Sequence, residues 1–153
     1  MPDSIVQETL REIEPLGIND TVEVAAQRVI DADLPGLPVV GAGGRFAGIF
    51  GEREFMSALF PGYLSELSSS AMIRRSIDDA IERRETCWHE PIANYLTIDH
   101  VLVEDDYSDT QLAELFLHHR VLVIPIATNG NVHAVVTRSD FFRALVARVG
   151  ERG

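Results

Sequence analysis

The sequence predicts an α/β protein built from two copies of one strand–turn–strand–helix unit. The first observation is a repeated strand motif, Leu37-Pro38-Val39-Val40 and Ile124-Pro125-Ile126-Ala127. The second is that a turn containing glycine, a further apolar strand and a helix start follow each motif. A unit repeated within one chain indicates a pseudo-twofold assembly, here of small sheets flanked by helices, with a binding site between the copies.

The third observation is the steady spacing between equivalent residues. Pro38 and Pro125 are 87 residues apart, whereas Phe55 and Phe141, beyond the turn, are 86 residues apart. One extra residue in the first turn accounts for this change.

The first unit begins with a helix that Asp20 is expected to cap, because Glu23 follows at the spacing of a capping box. Apolar residues then recur at the spacing of one buried helical face: Val22, Ala25, Ala26, Val29 and Ile30. Strands are expected over 37–40 and 46–50, and a helix over 52–60 ends at Pro61.

The second unit repeats this order. Ser108 and Gln111 form a capping box, and Leu112, Leu115 and Phe116 give the apolar face of the helix that follows. Strands are expected over 121–126 and 132–136, and a closing helix over 139–149.

Between the units, residues 61–90 are too long for a simple linker and are expected to form a helical insertion. Ser76 is a candidate cap for a helix with one face made of Ile77, Ala80, Ile81 and Arg84. Another short helix would carry Leu64, Leu67, Ala71 and Met72. The insertion could cover the cleft, form a dimer contact or dock a partner.

Composition and charge exclude several classes of protein. The chain of 153 residues is 46% hydrophobic and has no apolar run near the roughly 20 residues of a membrane span. A net charge of −11 without clustered cations argues against a nucleic-acid partner. A single cysteine and the absence of signal-peptide features predict a cytoplasmic location.

The order of parts resembles the CBS domain, named after cystathionine β-synthase, and two copies resemble a stand-alone CBS-domain pair. The closest stretches are 119–125 and Thr137-Arg138-Ser139-Asp140, so the second copy is the stronger match. The resemblance covers about 13–60 and 91–149. It implies a first repeat at 1–60, the insertion at 61–90 and a second repeat at 91–153, which together form one compact module.

The Thr137-x-x-Asp140 motif suits a nucleotide. A carboxylate can accept hydrogen bonds from both ribose hydroxyls, while a threonine hydroxyl and the free N–H groups of a helix start suit a phosphate. Arg138 could add a charge-assisted contact. The alternative is that Thr137 caps the helix and Asp140 interacts with its dipole.

The family resemblance adds the adenine side of the site. It implies that the backbone of Val121, Leu122 and Val123 borders the base, with Thr97 opposite. The first copy departs from the pattern, because Gly51 stands in place of Thr137 and Glu54 in place of Asp140. Arg53 could serve a phosphate or solvent. One competent site is therefore expected at the second copy. A weak or vestigial site is expected at the first copy, where Glu54 could bind a ribose.

The function implied by the resemblance is regulatory rather than enzymatic. The chain would need no cofactor, bind AMP, ADP, ATP or S-adenosylmethionine as a regulatory ligand, and act in trans on a protein partner. Its negative charge makes AMP or ADP easier to bind than ATP and would assist cationic S-adenosylmethionine. A homodimer is also implied, and Phe141, Phe142 and Leu145 are candidates for its contact or for the core.

Two other functions stay open. The chain could be a ligand-free dimerisation or interaction scaffold, which the substitutions at Gly51 and Glu54 favour. It could also be a small enzyme that uses Cys87 or its histidines, although no motif supplies a base for the thiol. A metal site is not expected, since Cys87 and His89 lack a second pair of ligands.

Overall fold

A computed structural model describes residues 4–60, 77–98, 100–104 and 106–153. The helices are α1 (Ile5–Thr9), α2 (Val22–Ala32), α3 (Glu52–Leu59), α4 (Ile77–Arg84), α5 (Asp109–His118) and α6 (Arg138–Arg152). The strands are β1 (Arg11–Glu12), β2 (Leu16–Gly17), β3 (Gly36–Val40), β4 (Phe46–Gly51), β5 (Val103–Glu104), β6 (Val123–Thr128) and β7 (Asn131–Thr137). Single 3₁₀ turns lie at Ala42–Gly44, Glu85–His89 and Ile92–Asn94.

The strands form two small sheets, with the orders β2-β3-β4 and β1-β7-β6-β5. In each sheet an antiparallel hairpin, β3–β4 or β6–β7, is joined by a short parallel strand, β2 or β5. The predicted α/β fold with two related units is therefore confirmed. Among the described helices, none combines the length and the apolar character needed to cross a membrane.

The hairpins explain the change in spacing between the repeats. Val40 pairs with Phe46, and five residues lie between them, whereas Ala127 pairs with Val132 across four residues. The register shifts at the equivalent place in both hairpins, after Val39 and after Ile126. The prediction of one extra residue in the first turn is confirmed.

The segment before each repeat packs against the other repeat. We call residues 4–12 the first leading segment and residues 91–97 the second. In the first, Arg11 in β1 pairs with Val135 in β7. In the second, Thr97 forms an isolated bridge with Ile49 in β4. The two pairs are equivalent, because each member of one is 86 residues from its counterpart in the other.

Each hydrophobic core also contains residues of the leading segment that precedes the other repeat. Ile5 and Val6 of the first leading segment are buried in the cluster of the second repeat, with Leu112, Ile124 and Phe141. Ile92 of the second leading segment is buried in the cluster of the first repeat, which contains Leu16, Val29, Leu37 and Phe50. Each core is therefore completed by residues that precede the other repeat.

Asp109, the first residue of α5, fixes the first leading segment. Its carboxylate accepts hydrogen bonds from the Ser4 hydroxyl (2.7 Å) and from the amides of Ile5 (2.8 Å) and Val6 (2.9 Å). Burial alone would raise the pKa of Asp109, but these hydrogen bonds outweigh it and lower the pKa below its ordinary value. The carboxylate thus caps α1 across the boundary between repeats.

Two sequence expectations need correction at element ends. Thr21, and not Asp20, caps α2, because the Thr21 hydroxyl accepts from the Val24 amide (3.2 Å) while Asp20 accepts from the Gly17 amide (2.9 Å). The strand expected over 121–126 runs from Val123 to Thr128, so Val121 and Leu122 precede it. The capping box of Ser108 and Gln111 is confirmed, because both of its reciprocal side-chain-to-backbone hydrogen bonds are present.

The described part of the insertion contains α4 and the turn that follows it. Arg84 of α4 donates to the Ala58 carbonyl (3.0 Å) at the end of α3 and to the Tyr95 hydroxyl (2.9 Å). Ile77 and Ile81, expected on one face of this helix, are both exposed. The Ser76 cap and the helix expected at Leu64, Leu67, Ala71 and Met72 lie outside the described residues.

We expect Asp109→Ala to lower the free energy of unfolding by about 1–2 kcal/mol, the usual effect of losing a helix cap. Because folding lowers the pKa of Asp109, its contribution is fully present above the unfolded pKa of about 4 and is lost as pH falls through the folded pKa. Urea unfolding at pH 7 and at lower pH measures both effects. Asp106→Ala, which removes an exposed carboxylate nearby, is the control; equal losses from the two variants at pH 7 would contradict the capping role.

Candidate functional site

A cavity of about 530 Å³ opens between the two repeats, beside the start of α6. Its lining comes from both repeats and from the first leading segment. The second repeat contributes Leu122, Thr137, Arg138, Ser139, Asp140 and Arg143; the first contributes Val29, Ile30, Asp33, Leu34, Pro35 and Glu52; and Arg11 completes the lining. The cavity therefore contains the Thr137-x-x-Asp140 motif that the sequence singled out.

The motif is organised as a helix cap. Thr137 is buried at the end of β7, and its hydroxyl accepts a hydrogen bond from the Asp140 amide (3.0 Å). The Arg138 amide donates to the Leu122 carbonyl (2.9 Å), which ties the helix start to the residues before β6. The capping geometry holds the Asp140 carboxylate at the cavity wall, so a structural role of Thr137 and a binding role of Asp140 are compatible.

Arg11 forms a bidentate salt bridge with Asp140. Its Nε donates to Oδ2 at 2.7 Å and its Nη2 to Oδ1 at 3.1 Å, while Arg143 lies 3.8 Å from Oδ1. The hydrogen bonds from Arg11 hold the pKa of Asp140 below its ordinary value, against the opposing effect of burial. Asp140 is therefore an anion over the whole physiological pH range.

Sequence reasoning missed Arg11, because it is 129 positions from Asp140. The signal that could have found it is the repeat spacing. Arg11 and Thr97 are 86 residues apart, as are Glu54 and Asp140. Applying the spacing to the segments before each repeat would have paired the two positions.

The structure corrects the place of Thr97. Thr97 was expected opposite Val121, Leu122 and Val123, but its hydroxyl donates to the buried Glu54 carboxylate at 2.5 Å. This contact is the counterpart of the one between Arg11 and Asp140. Thr97 therefore belongs to the equivalent place in the first repeat and is absent from the lining of the cavity at Asp140.

Gly51 closes the first repeat at the position equivalent to Thr137. A Cβ atom at Gly51 would lie 2.1 Å from the Pro35 carbonyl oxygen and 2.5 Å from the Gly36 Cα atom. A threonine would therefore displace the backbone before β3. The first repeat has lost the space for the hydroxyl as well as the hydroxyl itself.

The remaining predicted residues divide between the cavity and other places. Arg138 and Leu122 line the cavity. Val123 is buried in the core of the first repeat, and Val121 packs against the core of the second. Arg53 is exposed on α3. The structure thus brings together Thr137, Arg138, Asp140 and Leu122 from the predicted set.

Cys87, the residue named as a possible nucleophile, lies in surroundings that disfavour its reactivity. Cys87 is buried, and burial raises the pKa of its thiol, which disfavours the reactive thiolate. Within the described ranges, no three side chains of His, Cys, Asp or Glu converge as ligands for a metal ion.

Residues 8–61 match the family model of the CBS domain. The match falls on the first repeat, whose motifs resemble the family less closely than those of the second. The substitutions at Gly51 and Glu54 therefore do not prevent the first repeat from matching the family model. No curated protein matches the chain with significance.

Solved structures of CBS-domain proteins share the fold of the chain. The CBS domain of a CBS-domain-containing membrane protein from Sphaerobacter thermophilus matches with a TM-score of 0.69 at 21% identity, over 92% of this chain and 86% of that one. A putative acetoin utilization protein (AcuB) from Vibrio cholerae matches with a TM-score of 0.68 at 17% identity, over 96% and 93%. The structure of CBSX2 in complex with AMP matches with a TM-score of 0.66 at 17% identity, over 95% and 98%. The resemblance to a CBS-domain pair is confirmed.

We expect Gly51→Ala to lower the free energy of unfolding by about 1–3 kcal/mol, the range for overpacking a tight contact. The Gly51 φ of −166° is open to any residue, so the loss would come from the contacts with Pro35 and Gly36. Gly41→Ala is the matched control, since its added Cβ atom meets nothing within 4 Å. Urea unfolding of both variants checks this prediction. An unchanged free energy of unfolding for Gly51→Ala would contradict it and show that the backbone before β3 can shift at little cost.

Proposed function

We propose that this chain, which carries a CBS domain at residues 8–61 and has the fold of CBS-domain proteins, is a regulatory module that binds an adenosine phosphate in the cavity at Asp140. The observation that carries the proposal is the convergence of Thr137, Asp140 and cavity-lining arginines at one helix start. The cavity of about 530 Å³ is within the range of small-molecule sites.

The ribose and the base have suitable surroundings in this cavity. The Asp140 carboxylate carries lone pairs that can accept hydrogen bonds from the two ribose hydroxyls. Val29, Ile30 and Leu34 supply the apolar wall that a purine ring needs, and Leu122 adds an exposed side chain. These contacts support the adenosine part of the ligand.

The charges of the cavity favour a ligand with few phosphates. Arg11, Arg138 and Arg143 line it, but so do the acidic residues Asp33, Glu52 and Asp140. The chain as a whole has a net charge of −11, which opposes a highly charged anion at long range. AMP is therefore the proposed ligand ahead of ATP, and CBSX2, which has the same fold, was solved in complex with AMP.

One binding site per chain is proposed. In the first repeat, the place equivalent to Asp140 holds Glu54, which is buried and bonded to Thr97. Gly51 packs directly against the backbone of Pro35 and Gly36. The chain's own atoms therefore occupy the volume that a second ligand would need.

The proposed role is to change shape or partner affinity when AMP binds. Both repeats line the cavity, so a bound ligand contacts both and alters their relative position. The output then acts in trans on a partner protein in the cytoplasm, without catalysis by this chain.

A homodimer is proposed on a separate observation. Phe141 is buried against Phe116 in the core, whereas Phe142, Val146 and Val149 of α6 are each more than half exposed. Leu117 at the end of α5 is exposed as well. A contiguous apolar helix face of this kind is typical of a protein interface, and a second copy of the chain is the occupant we propose.

We expect the melting temperature to rise by several degrees with AMP at 100 times its dissociation constant, since such a ligand adds about 2.7 kcal/mol to the stability of the folded state. Calorimetry should give one AMP per chain. Asp140→Ala should lose the response, while Glu54→Gln, the change at the equivalent position of the first repeat, should keep it.

Two outcomes would contradict this proposal. Two tight sites per chain would show that the first repeat binds as well. No response to AMP, ADP, ATP or S-adenosylmethionine would instead support the ligand-free scaffold, in which Arg11 permanently satisfies the Asp140 carboxylate.

We expect Phe142→Glu to convert a dimer of the wild-type chain into a monomer, because a buried charge at the centre of an apolar interface has no partner. Sedimentation velocity measures the change. Ala147→Glu, at an exposed position of the same helix away from the apolar face, is the charge-matched control. A wild-type monomer at high concentration would exclude the interface.

A further inference from the structure

We propose that Arg11 determines the ligand specificity of the cavity by moving between two partners. In the free protein its guanidinium holds the Asp140 carboxylate, and in the bound protein it turns to the phosphate of the ligand. The site then selects adenosine phosphates over the free nucleoside. This inference rests on the proposed function.

The backbone of Arg11 is fixed, so only its side chain is free to move. Arg11 pairs with Val135 in the second sheet, and the preceding helix is capped by Asp109 and packs Ile5 and Val6 into the core. Release of the whole leading segment would expose that apolar surface. Rotation of the side chain, which is 40% exposed, breaks only the contacts of the guanidinium.

The guanidinium lies between the repeats. Besides its two hydrogen bonds to Asp140, it donates from Nη1 to the Asp33 carbonyl of the first repeat at 3.4 Å, a longer contact. A side chain of this length can reach a phosphate anywhere near the same wall, and its planar fork suits phosphate as well as carboxylate. The residue can therefore exchange one anion for the other.

The exchange makes binding depend on the phosphate. A neutral nucleoside offers two hydroxyls to Asp140 but gives nothing to the displaced arginine, so it must replace a charge-assisted pair with weaker hydrogen bonds. A nucleotide offers the hydroxyls to Asp140 and the phosphate to Arg11. The Asp140 carboxylate then accepts hydrogen bonds from the ribose, and the Arg11 guanidinium pairs with the phosphate, so neither charged group is left without a partner.

The first repeat lacks this device. At the position equivalent to Arg11 it has Thr97, which is neutral and already bonded to the buried Glu54. The two repeats therefore differ at three positions of the same site: 11 and 97, 137 and 51, 140 and 54. Of these three pairs only 11 and 97 differ in charge, and the cation, Arg11, lies at the cavity.

The test compares the dissociation constants of AMP and adenosine, measured by calorimetry, for the wild type and Arg11→Ala. The preference for AMP over adenosine should fall about tenfold or more in the variant, because AMP loses a charge-assisted contact that adenosine never makes. Adenosine should bind the variant more tightly than it binds the wild type, because Asp140 is free. Arg152→Ala, at the exposed end of α6 and outside the cavity lining, is the control for general loss of positive charge; it should leave the affinity for adenosine unchanged. Arg11→Gln serves as a second variant if Arg11→Ala fails to fold.

Each other outcome would overturn the inference. Equal weakening of AMP and adenosine in Arg11→Ala would mean that Arg11 only positions Asp140. Unchanged adenosine affinity would mean that Arg11 and the ribose share the carboxylate without competition. If neither ligand binds the wild type, the proposed function itself fails, and that result is distinct because it appears before any substitution is made.

Discussion

The structure depends on the reciprocal exchange of the two leading segments. Each repeat has a hairpin and two helices of its own, but its core is closed by residues that precede the other repeat, Ile5 and Val6 in one case and Ile92 in the other. A unit of about 60 residues buries only about 60% of the surface that its unfolded chain exposes, so its stability alone is marginal. The exchange joins two incomplete cores into one module, and it explains why the sheets, the cap at Asp109 and the cavity all combine parts from distant stretches of sequence.

The exchange also explains why the equivalent acidic residues Asp140 and Glu54 have different surroundings. Each leading segment delivers one side chain to the acidic residue at the start of a helix in the opposite repeat. Where that side chain is Arg11, the acid stays at the wall of an open cavity as a charged pair. Where it is Thr97, the acid is buried under a neutral hydroxyl and a tightly packed glycine. An architecture with near-twofold symmetry thereby holds one open cavity with a charged pair at its wall and one closed contact.

The sequence was sufficient to predict what is local or repeated. The spacing between copies predicted both hairpins and the extra residue in the first turn. The predicted capping box of Ser108 and Gln111 is present with both of its hydrogen bonds. The cap of α2 was predicted one residue too early: Thr21 rather than Asp20 caps the helix, because Asp20 bonds to the turn before it. Long-range pairing was the main failure. Nothing in the neighbourhood of Arg11 indicates Asp140, because strand exchange depends on tertiary packing and not on local propensity.

The exchange has a consequence for the order in which the chain can fold during synthesis. The first leading segment leaves the ribosome early, but its partners Asp109, Val135 and Asp140 are made about a hundred or more residues later. At typical rates of 5–20 residues per second, α1 waits for roughly 5–30 seconds with Ile5 and Val6 lacking a core. Contacts of such high sequence separation form late and slow the final step of folding. The Arg11–Asp140 pair can therefore form only after both repeats have been synthesised, so the cavity at Asp140 is absent from any nascent chain that lacks its second half.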